Sequence, residues 1–350
     1  MSYNKLQLAS NLNTSPDTLI GLDADKDVHN VADAPKNHTT QTGRKRLNDL
    51  DGKEWIKATK SVWLNPESYK DIKTLKDAME SGVLLSESPS RDELKKKHPA
   101  TFSEQDIAKL VRFFTRSGET VLDPFLGVGS SGIASLREGR NFVGIELYPE
   151  WFDIAKQRIA DADDLPDTAC TLHCGDALDI MSNMTNESID FVVTSPPYWG
   201  ILAKKDHKVK RERISKGLAT EYGNNQADLA NTKSYVNFIE VMTEHLREYH
   251  RLLRPQKYAA IIVSDFRHGQ EYYLFHSDIA AAMKSVGFTI QGLIVLVQDS
   301  KKLYPYGYPT TYVPNISNQF IVLGRKICPN SNHTPHSRAV IRGAMNDGNL

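Results

Sequence analysis

Two consecutive prolines, flanked by a serine and a tyrosine, form the segment Ser195-Pro196-Pro197-Tyr198. A proline has no backbone N–H, so the carbonyls around the pair remain available as hydrogen-bond acceptors. A residue before a proline is held extended, which aims the Ser195 hydroxyl outward. That hydroxyl and the Pro196 carbonyl would accept both hydrogens of an amino group, and Tyr198 offers a flat face to a ring. The segment therefore predicts a site that activates an amino group on an aromatic ring; the alternative is a rigid turn packed by aromatics.

A glycine-rich turn upstream, Asp123-Pro124-Phe125-Leu126-Gly127-Val128-Gly129, joins a predicted strand to a predicted helix that begins at Ser130. Glycines at such a turn let the backbone approach a ligand closely. The free N–H groups at the helix start suit a carboxylate, and Asp123 would pair with an ammonium group. The turn is therefore predicted to bind the amino-acid end of a ligand, through Asp123, Pro124, Phe125, Gly127, Gly129 and Ser130.

Acidic residues also end the next two predicted strands. Glu146 stands about twenty residues after the turn, where a carboxylate can hold two ribose hydroxyls. Asp176, followed by Ala177, is placed to accept a hydrogen bond from an adenine amino group. A ligand with an amino-acid end, a ribose and an adenine is S-adenosyl-L-methionine, which is therefore the expected cofactor.

Two other interpretations of the turn remain open. Gly127, Gly129 and Gly132 match the dinucleotide fingerprint, and Glu146 stands where its ribose acid would. Against it, Asp123 would face a pyrophosphate unfavourably. The second alternative is a glycine turn that only packs a strand against a helix. A phosphate-binding loop is not among the alternatives, because no Gly-Lys-Ser/Thr follows the turn.

The elements that position these residues alternate between strands and helices. Apolar runs predict strands at residues 120–122, 141–145, 171–174, 189–193, 259–263, 289–297 and 318–323. Helical periodicity predicts helices at residues 107–114, 130–136, 151–159, 235–253 and 277–286. Such alternation is typical of an α/β fold with a mostly parallel sheet covered on both faces, whose strand ends bring ligands to one edge.

Composition limits the class of protein. The 350 residues carry a formal net charge of zero and are 40% hydrophobic, which is typical of a globular protein. No apolar run could span a bilayer, and the N-terminus lacks the apolar core of a signal peptide, so a cytoplasmic location is expected. Cys170 and Cys174 flank His173, but a closed zinc site needs four ligands, so buried free thiols and no metal are expected.

Positive charge is concentrated in one segment after Trp199. A basic segment can contact nucleic-acid phosphates even in a protein whose net charge is zero. A net charge of zero is nevertheless unusual for an enzyme that acts on nucleic acid. The alternative is a solvated surface loop. The candidate phosphate contacts are Lys204, Lys205, Lys208, Lys210, Arg211 and Arg213.

The glycine turn and the sequence Thr194-Ser195-Pro196-Pro197-Tyr198 together resemble the DNA amino-methyltransferases, the N4-cytosine and N6-adenine enzymes of restriction–modification systems. His98-Pro99-Ala100 resembles the segment that covers the cofactor's methionine end in that family, which adds His98 and Pro99 to the cofactor site. Glu146 and Asp176 match the family's ribose and adenine positions.

This resemblance implies a Rossmann-like S-adenosylmethionine-dependent methyltransferase sheet with helices on both faces, plus an N-terminal extension. It also implies double-stranded DNA as a partner, a target base flipped out of the duplex, and a cognate restriction endonuclease as a candidate partner. Members with serine at the first motif position tend to methylate cytosine N4, so Ser195 favours that base. The cofactor motif precedes the catalytic motif, which circular permutation of one fold explains.

The expected organisation has four parts. Residues 1–43 form a flexible arm, and residues 44–97 form an N-terminal segment that is a candidate DNA contact. Residues 98–325 form the catalytic domain, with a basic loop at 201–234, and residues 326–350 form a tail.

Three functional alternatives remain at this level: methylation of adenine N6, an amino-methyltransferase for RNA or protein, and a non-enzymatic DNA-binding regulator. The sequence argues against the C5-cytosine class, because that class needs a Pro-Cys pair and none of the three cysteines follows a proline.

Overall fold

The computed structural model describes residues 49, 62–63, 94–95, 103–163, 165–199, 225, 227–297, 316 and 318–327. The chain divides into two compact units, Met1–Arg44 and Lys45–Leu350, and every described residue belongs to the second. The predicted arm, the tail from residue 328 and the basic run at 204–213 lie outside the described residues, as does most of the segment at 44–97.

The described residues form one large mixed sheet and a small hairpin. The strands are β1 (Val62–Trp63), β2 (Thr120–Asp123), β3 (Asn141–Glu146), β4 (Cys170–Cys174), β5 (Ile189–Thr194), β6 (Leu253–Val263), β7 (Phe266–His268), β8 (Glu271–Tyr273), β9 (Phe288–Val297) and β10 (Asn318–Lys326). The large sheet has the order β1-β9-β10-β6-β5-β2-β3-β4, and β7 pairs with β8 alone. Strand β10 is antiparallel to both of its neighbours, β6 and β9.

Helices cover both faces of this sheet. They are α1 (Glu104–Phe114), α2 (Ser130–Arg137), α3 (Pro149–Ala160), α4 (Ala177–Ser182), α5 (Tyr235–Leu252) and α6 (Phe275–Ser285), with a 3₁₀ turn at Leu229–Asn231. Successive residues of β5 point to opposite faces. Val192 packs in the cluster with α4, α5 and α6, and Phe191 and Val193 pack in the cluster with α1, α2 and α3. The predicted α/β fold with helices on both faces is therefore confirmed.

The chain reverses direction across the sheet at β2. From β2 it proceeds outward to β3 and β4, and then returns to β5 on the other side of β2. Strands β2 and β5 are parallel, so both end at the same edge. In doubly wound sheets, ligands bind in the crevice at such a switch point, beyond the carboxyl ends of the strands.

Some features differ from the sequence-based expectation. Strand β6 begins at Leu253, not at residue 259, and includes Pro255. Its pairing with β5 is irregular between Leu253 and Tyr258. The exposed Pro255, which has no backbone N–H to donate, therefore lies where the hydrogen-bond ladder between the two strands is already interrupted. Helix α4 and the β7–β8 hairpin were not predicted, because they are too short for a clear periodic pattern.

The cysteine expectation was wrong. Cys170 and Cys174 are exposed, because β4 is the edge strand of the sheet and covers little of the core. Across the described ranges, no cluster of three metal-ligating side chains occurs. No helix found there has the length and apolarity needed to cross a bilayer.

Candidate functional site

A cleft opens at the carboxyl ends of β2, β3 and β5, and its empty space, including the solvent at its open mouth, is about 1040 Å³. The cleft brings the two predicted motifs together, because residues of the glycine turn and of the Ser-Pro-Pro-Tyr segment both line it. The predicted site residues that line it are Pro124, Phe125, Gly127, Ser130, Glu146, Asp176, Ala177, Ser195, Pro196, Pro197 and Tyr198.

The glycine turn needs two left-handed residues. Gly127 has φ +54° and Gly129 has φ +83°, conformations that favour glycine. Gly129 does not line the cleft, unlike the prediction. A Cβ atom there would lie 3.2 Å from the Cβ of Ala155, so Gly129 allows α2 to start close against α3. Ser130 opens α2, and its buried hydroxyl at the cleft has no hydrogen-bond partner among the described residues.

Glu146 closes the turn through its carboxylate. Its Oε2 accepts from the Gly127 N–H at 2.8 Å, and its Oε1 accepts from the Tyr148 N–H at 3.0 Å. Burial raises the pKa of Glu146 to about 7, against the lowering effect of these two bonds. Each carboxylate oxygen has a second lone pair, so the group can still accept from ligand hydroxyls.

Asp123 is placed differently from the prediction, because its side chain is fully buried and does not line the cleft. Its Oδ1 accepts from the Thr194 hydroxyl at 2.6 Å and from the Phe125 N–H at 3.0 Å, and its Oδ2 accepts from Ser131. Burial raises the pKa of this carboxyl. Asp123 thus ties the end of β2 to α2 and to Thr194, the residue before Ser195.

Asp176 lies two residues beyond the end of β4 and caps α4. Its Oδ1 accepts from the Leu178 N–H at 2.8 Å, and the residue lines the cleft beside Gly175 and Ala177. The cap leaves Oδ2 and the remaining lone pairs to other donors.

Tyr198 is held from several directions. Its hydroxyl oxygen accepts from the Ser264 N–H at 2.8 Å and also bonds the side chains of Ser195 and Gln319. Its ring meets Phe275 edge-on, with the ring centroids 5.8 Å apart. Burial raises the pKa of Tyr198 to about 12, so the phenol stays protonated at neutral pH.

Sequence reasoning missed four polar residues that line the cleft: Tyr148, Asp228, His245 and Gln319. The Tyr148 hydroxyl donates to Asp228 Oδ2 at 2.8 Å, across 80 residues of chain. The position of Tyr148, two residues after Glu146, is the one local signal among them. Asp228, His245 and Gln319 reach the cleft only through tertiary packing.

The remaining predicted site residues fall outside the described part of the chain. These are the cofactor candidates His98 and Pro99 and the phosphate candidates Lys204, Lys205, Lys208, Lys210, Arg211 and Arg213.

Comparison with known proteins gives a family and several partial relatives. A family model described as DNA methylase, for N6 and N4 amino-methyltransferases, matches residues 5–157 and 189–326. The chain is 44% identical over 66 residues to the Type II methyltransferase M.Cfr9I of Citrobacter freundii, and that match covers 19% of this chain and 22% of the relative. It is 32% identical over 93 residues to the Type II methyltransferase M2.LlaDCHI of Lactococcus lactis subsp. cremoris, covering 27% and 33%. The matches thus span a third or less of these relatives' lengths.

Similar solved structures include a DNA modification methylase from Thermus thermophilus, TTHA0409, complexed with S-adenosyl-L-methionine. It has a TM-score of 0.31 and 22% identity, and the match covers 47% of this chain and 58% of that one. An S-adenosylmethionine-dependent methyltransferase from Methanosarcina mazei has a TM-score of 0.39 and 12% identity, over 62% and 97% of the two chains.

Proposed function

This chain belongs to the DNA methylase family of N6 and N4 amino-methyltransferases, and from that membership we propose that it transfers a methyl group from S-adenosyl-L-methionine to the exocyclic N4 amino group of cytosine in DNA. The observation that carries the proposal is one cleft lined by both Ser195-Pro196-Pro197-Tyr198 and the glycine turn. A cofactor site and a site for an amino group would thus share one cleft.

The residues of the cleft fit the three parts of this cofactor. The start of α2, with the unpartnered buried hydroxyl of Ser130, suits the carboxylate of the methionine end. Glu146, whose oxygens retain lone pairs, would accept from the ribose hydroxyls. Asp176 would accept from the adenine amino group. His98 and Pro99 are proposed to cover the methionine end, on the family resemblance.

The cofactor supplies an electrophilic methyl group on a sulfonium sulfur. The chain's own residues would prepare the nitrogen that receives it. The Ser195 hydroxyl, which also bonds Tyr198, would accept one hydrogen of the amino group through an oxygen lone pair, and the Pro196 carbonyl would accept the other. Two such bonds favour a tetrahedral nitrogen with an exposed lone pair. The proton can leave to water after the transfer, so no general base is required.

Cytosine N4 is favoured over adenine N6 by the serine at position 195, as family members with serine there tend to be N4-cytosine enzymes. A base in a duplex must leave the stack to reach the cleft. The six basic side chains between residues 204 and 213 are proposed to contact the phosphates, and residues 44–97 to contribute DNA contacts. A cytoplasmic location and a cognate restriction endonuclease belong to the same proposal.

Nucleoside analysis of DNA from a methylation-free host that expresses this chain tests the base assignment. Digestion and mass spectrometry should detect N4-methylcytosine, and its amount should fall to background with Ser195→Ala. N6-methyladenine without N4-methylcytosine would overturn the choice of base. Methylated RNA or protein with unmodified DNA would overturn the choice of substrate.

A further inference from the structure

His245 lies on α5, and its side chain is almost fully buried yet lines the cleft. Its Nδ1 atom is 3.0 Å from the carbonyl oxygen of Val241, one helical turn earlier. Because a carbonyl oxygen only accepts, Nδ1 must carry the hydrogen of this bond. The neutral ring therefore has its lone pair on Nε2, on the side of the ring away from that bond.

Burial lowers the pKa of His245, so the ring is neutral at physiological pH and Nε2 acts as an acceptor. Within the described residues, no hydrogen bond joins a backbone or side-chain group to Nε2. Because the ring lines the cleft, the lone pair of Nε2 is available to a donor on a ligand bound there.

Two neighbours show which part of the cleft His245 faces. Its ring stacks on Phe125, with centroids 5.2 Å apart and planes 29° from parallel. The carboxylate of Asp176 is near enough to raise the pKa of His245 electrostatically, in opposition to burial. Helix α5 also packs against α4, since Met242 and Leu246 share an apolar cluster with Ala177 and Met181. Asp176, which caps α4, lines the cleft together with His245, so His245 lies on the side of the cleft where the adenine is proposed to bind.

Building on the proposed function, we propose that Nε2 of His245 accepts a hydrogen bond from the 6-amino group of the cofactor's adenine and selects for purines that carry this group. An amino group has two hydrogens, so the Asp176 carboxylate and the imidazole nitrogen would each take one. A 6-oxo purine would instead place its carbonyl oxygen, which can only accept, against the Asp176 carboxylate and Nε2 of His245, which also accept, and such a contact is unfavourable. His245 is thus a specificity-determining residue of the cofactor site, separate from the residues that contact the target base.

Calorimetric binding of two ligands tests this assignment without measuring activity. One ligand is S-adenosylhomocysteine, and the other is its analogue with hydrogen in place of the 6-amino group. His245→Phe keeps a flat ring beside Phe125 but has no acceptor, whereas His245→Gln places an amide oxygen near the position of Nε2. The Phe variant should bind S-adenosylhomocysteine about tenfold more weakly and the analogue as the wild type does. The Gln variant should retain the preference for the amino ligand.

Two results with the Phe variant would contradict the assignment: an unchanged preference for S-adenosylhomocysteine over the analogue, or equally weakened binding of both ligands. A folded Gln variant without that preference would contradict it as well. Equally weakened binding of both ligands would mean that His245 acts through its packing on Phe125. Thermal melting of each variant identifies a folding defect, and if the Phe variant is unfolded the Gln variant decides. Wild-type protein that binds neither ligand would instead overturn the proposed function itself.

Discussion

At the scale of single residues, Ser195 is the side chain whose removal should separate chemistry from binding. Ser195→Ala deletes one of two acceptors for the amino group while the glycine turn and Glu146 stay intact. We expect turnover to fall about a hundredfold and the dissociation constant for S-adenosylhomocysteine to change less than about twofold. Single-turnover kinetics and calorimetry measure the two effects. Turnover at the wild-type rate would remove Ser195 from the mechanism.

Glu146 should make the stability of the ligand-free protein depend on pH. Its pKa of about 7 in the folded state lies above the ordinary value of 4.5. Between these values the folded state holds a proton that the unfolded state has lost, so the stabilisation is fully present below pH 4.5 and is lost as pH rises to about 7. The shift corresponds to roughly 3 kcal/mol.

The matched test compares Glu146→Gln with Glu150→Gln, whose side chain is exposed at the start of α3. As the pH rises from about 5 to about 8, the melting temperature of the wild type should fall, and that of the Glu146 variant should fall by less. The melting temperature of the Glu150 variant should fall by the same amount as that of the wild type. The Glu146 variant should also bind S-adenosylhomocysteine about tenfold more weakly. Identical pH profiles for all three proteins would refute the raised pKa, and an unchanged dissociation constant would refute the ribose assignment.

At the scale of elements, Asp123 joins the end of β2 to the end of β5 and to the start of α2. Asp123→Ala would leave buried donors of Phe125, Ser131 and Thr194 without their acceptor, at a cost of about 3 kcal/mol. Asp123→Asn retains an acceptor oxygen and should cost much less. Denaturant unfolding measures both, and equal stability of the two variants would contradict this role.

The start of α6 packs against the ring of Tyr198. Phe275 is fully buried and contacts Tyr198, Phe238 and Phe266. Phe275→Ala should lower the free energy of unfolding by about 3–5 kcal/mol, whereas Tyr272→Ala, at an exposed position nearby in sequence, should change it by less than about 0.5 kcal/mol. Similar unfolding midpoints for both variants would show that this aromatic packing contributes little.

The elements and the motifs were predictable from the sequence because their signals are local. Strand–glycine–helix and Ser-Pro-Pro-Tyr are each recognised within about ten residues. The partners of those motifs were not predictable, because they join distant parts of the chain. Tyr198 bonds Ser264 across 66 residues and Asp123 bonds Thr194 across 71. For Asp123, the sequence predicted a contact with a ligand, whereas the side chain is fully buried and bonds groups of the protein itself.

At the scale of the whole molecule, the switch point of the sheet explains why two separate motifs form one site. Strands β2 and β5 are adjacent and parallel although β3 and β4 intervene in the chain. The glycine turn after β2 and the Ser-Pro-Pro-Tyr segment after β5 therefore emerge side by side. This adjacency depends on the order of strands in the sheet and not on the order of the motifs along the chain.

Methyl transfer by the purified protein tests the central claim most directly. Radiolabelled S-adenosyl-L-methionine would be incubated with unmethylated duplex DNA, with RNA and with protein extract, beside a Ser195→Ala control. Label should enter only the DNA, should be recovered as N4-methylcytosine after digestion, and should be strongly reduced with the control variant. Absence of label in DNA, despite binding of S-adenosylhomocysteine, would contradict the account.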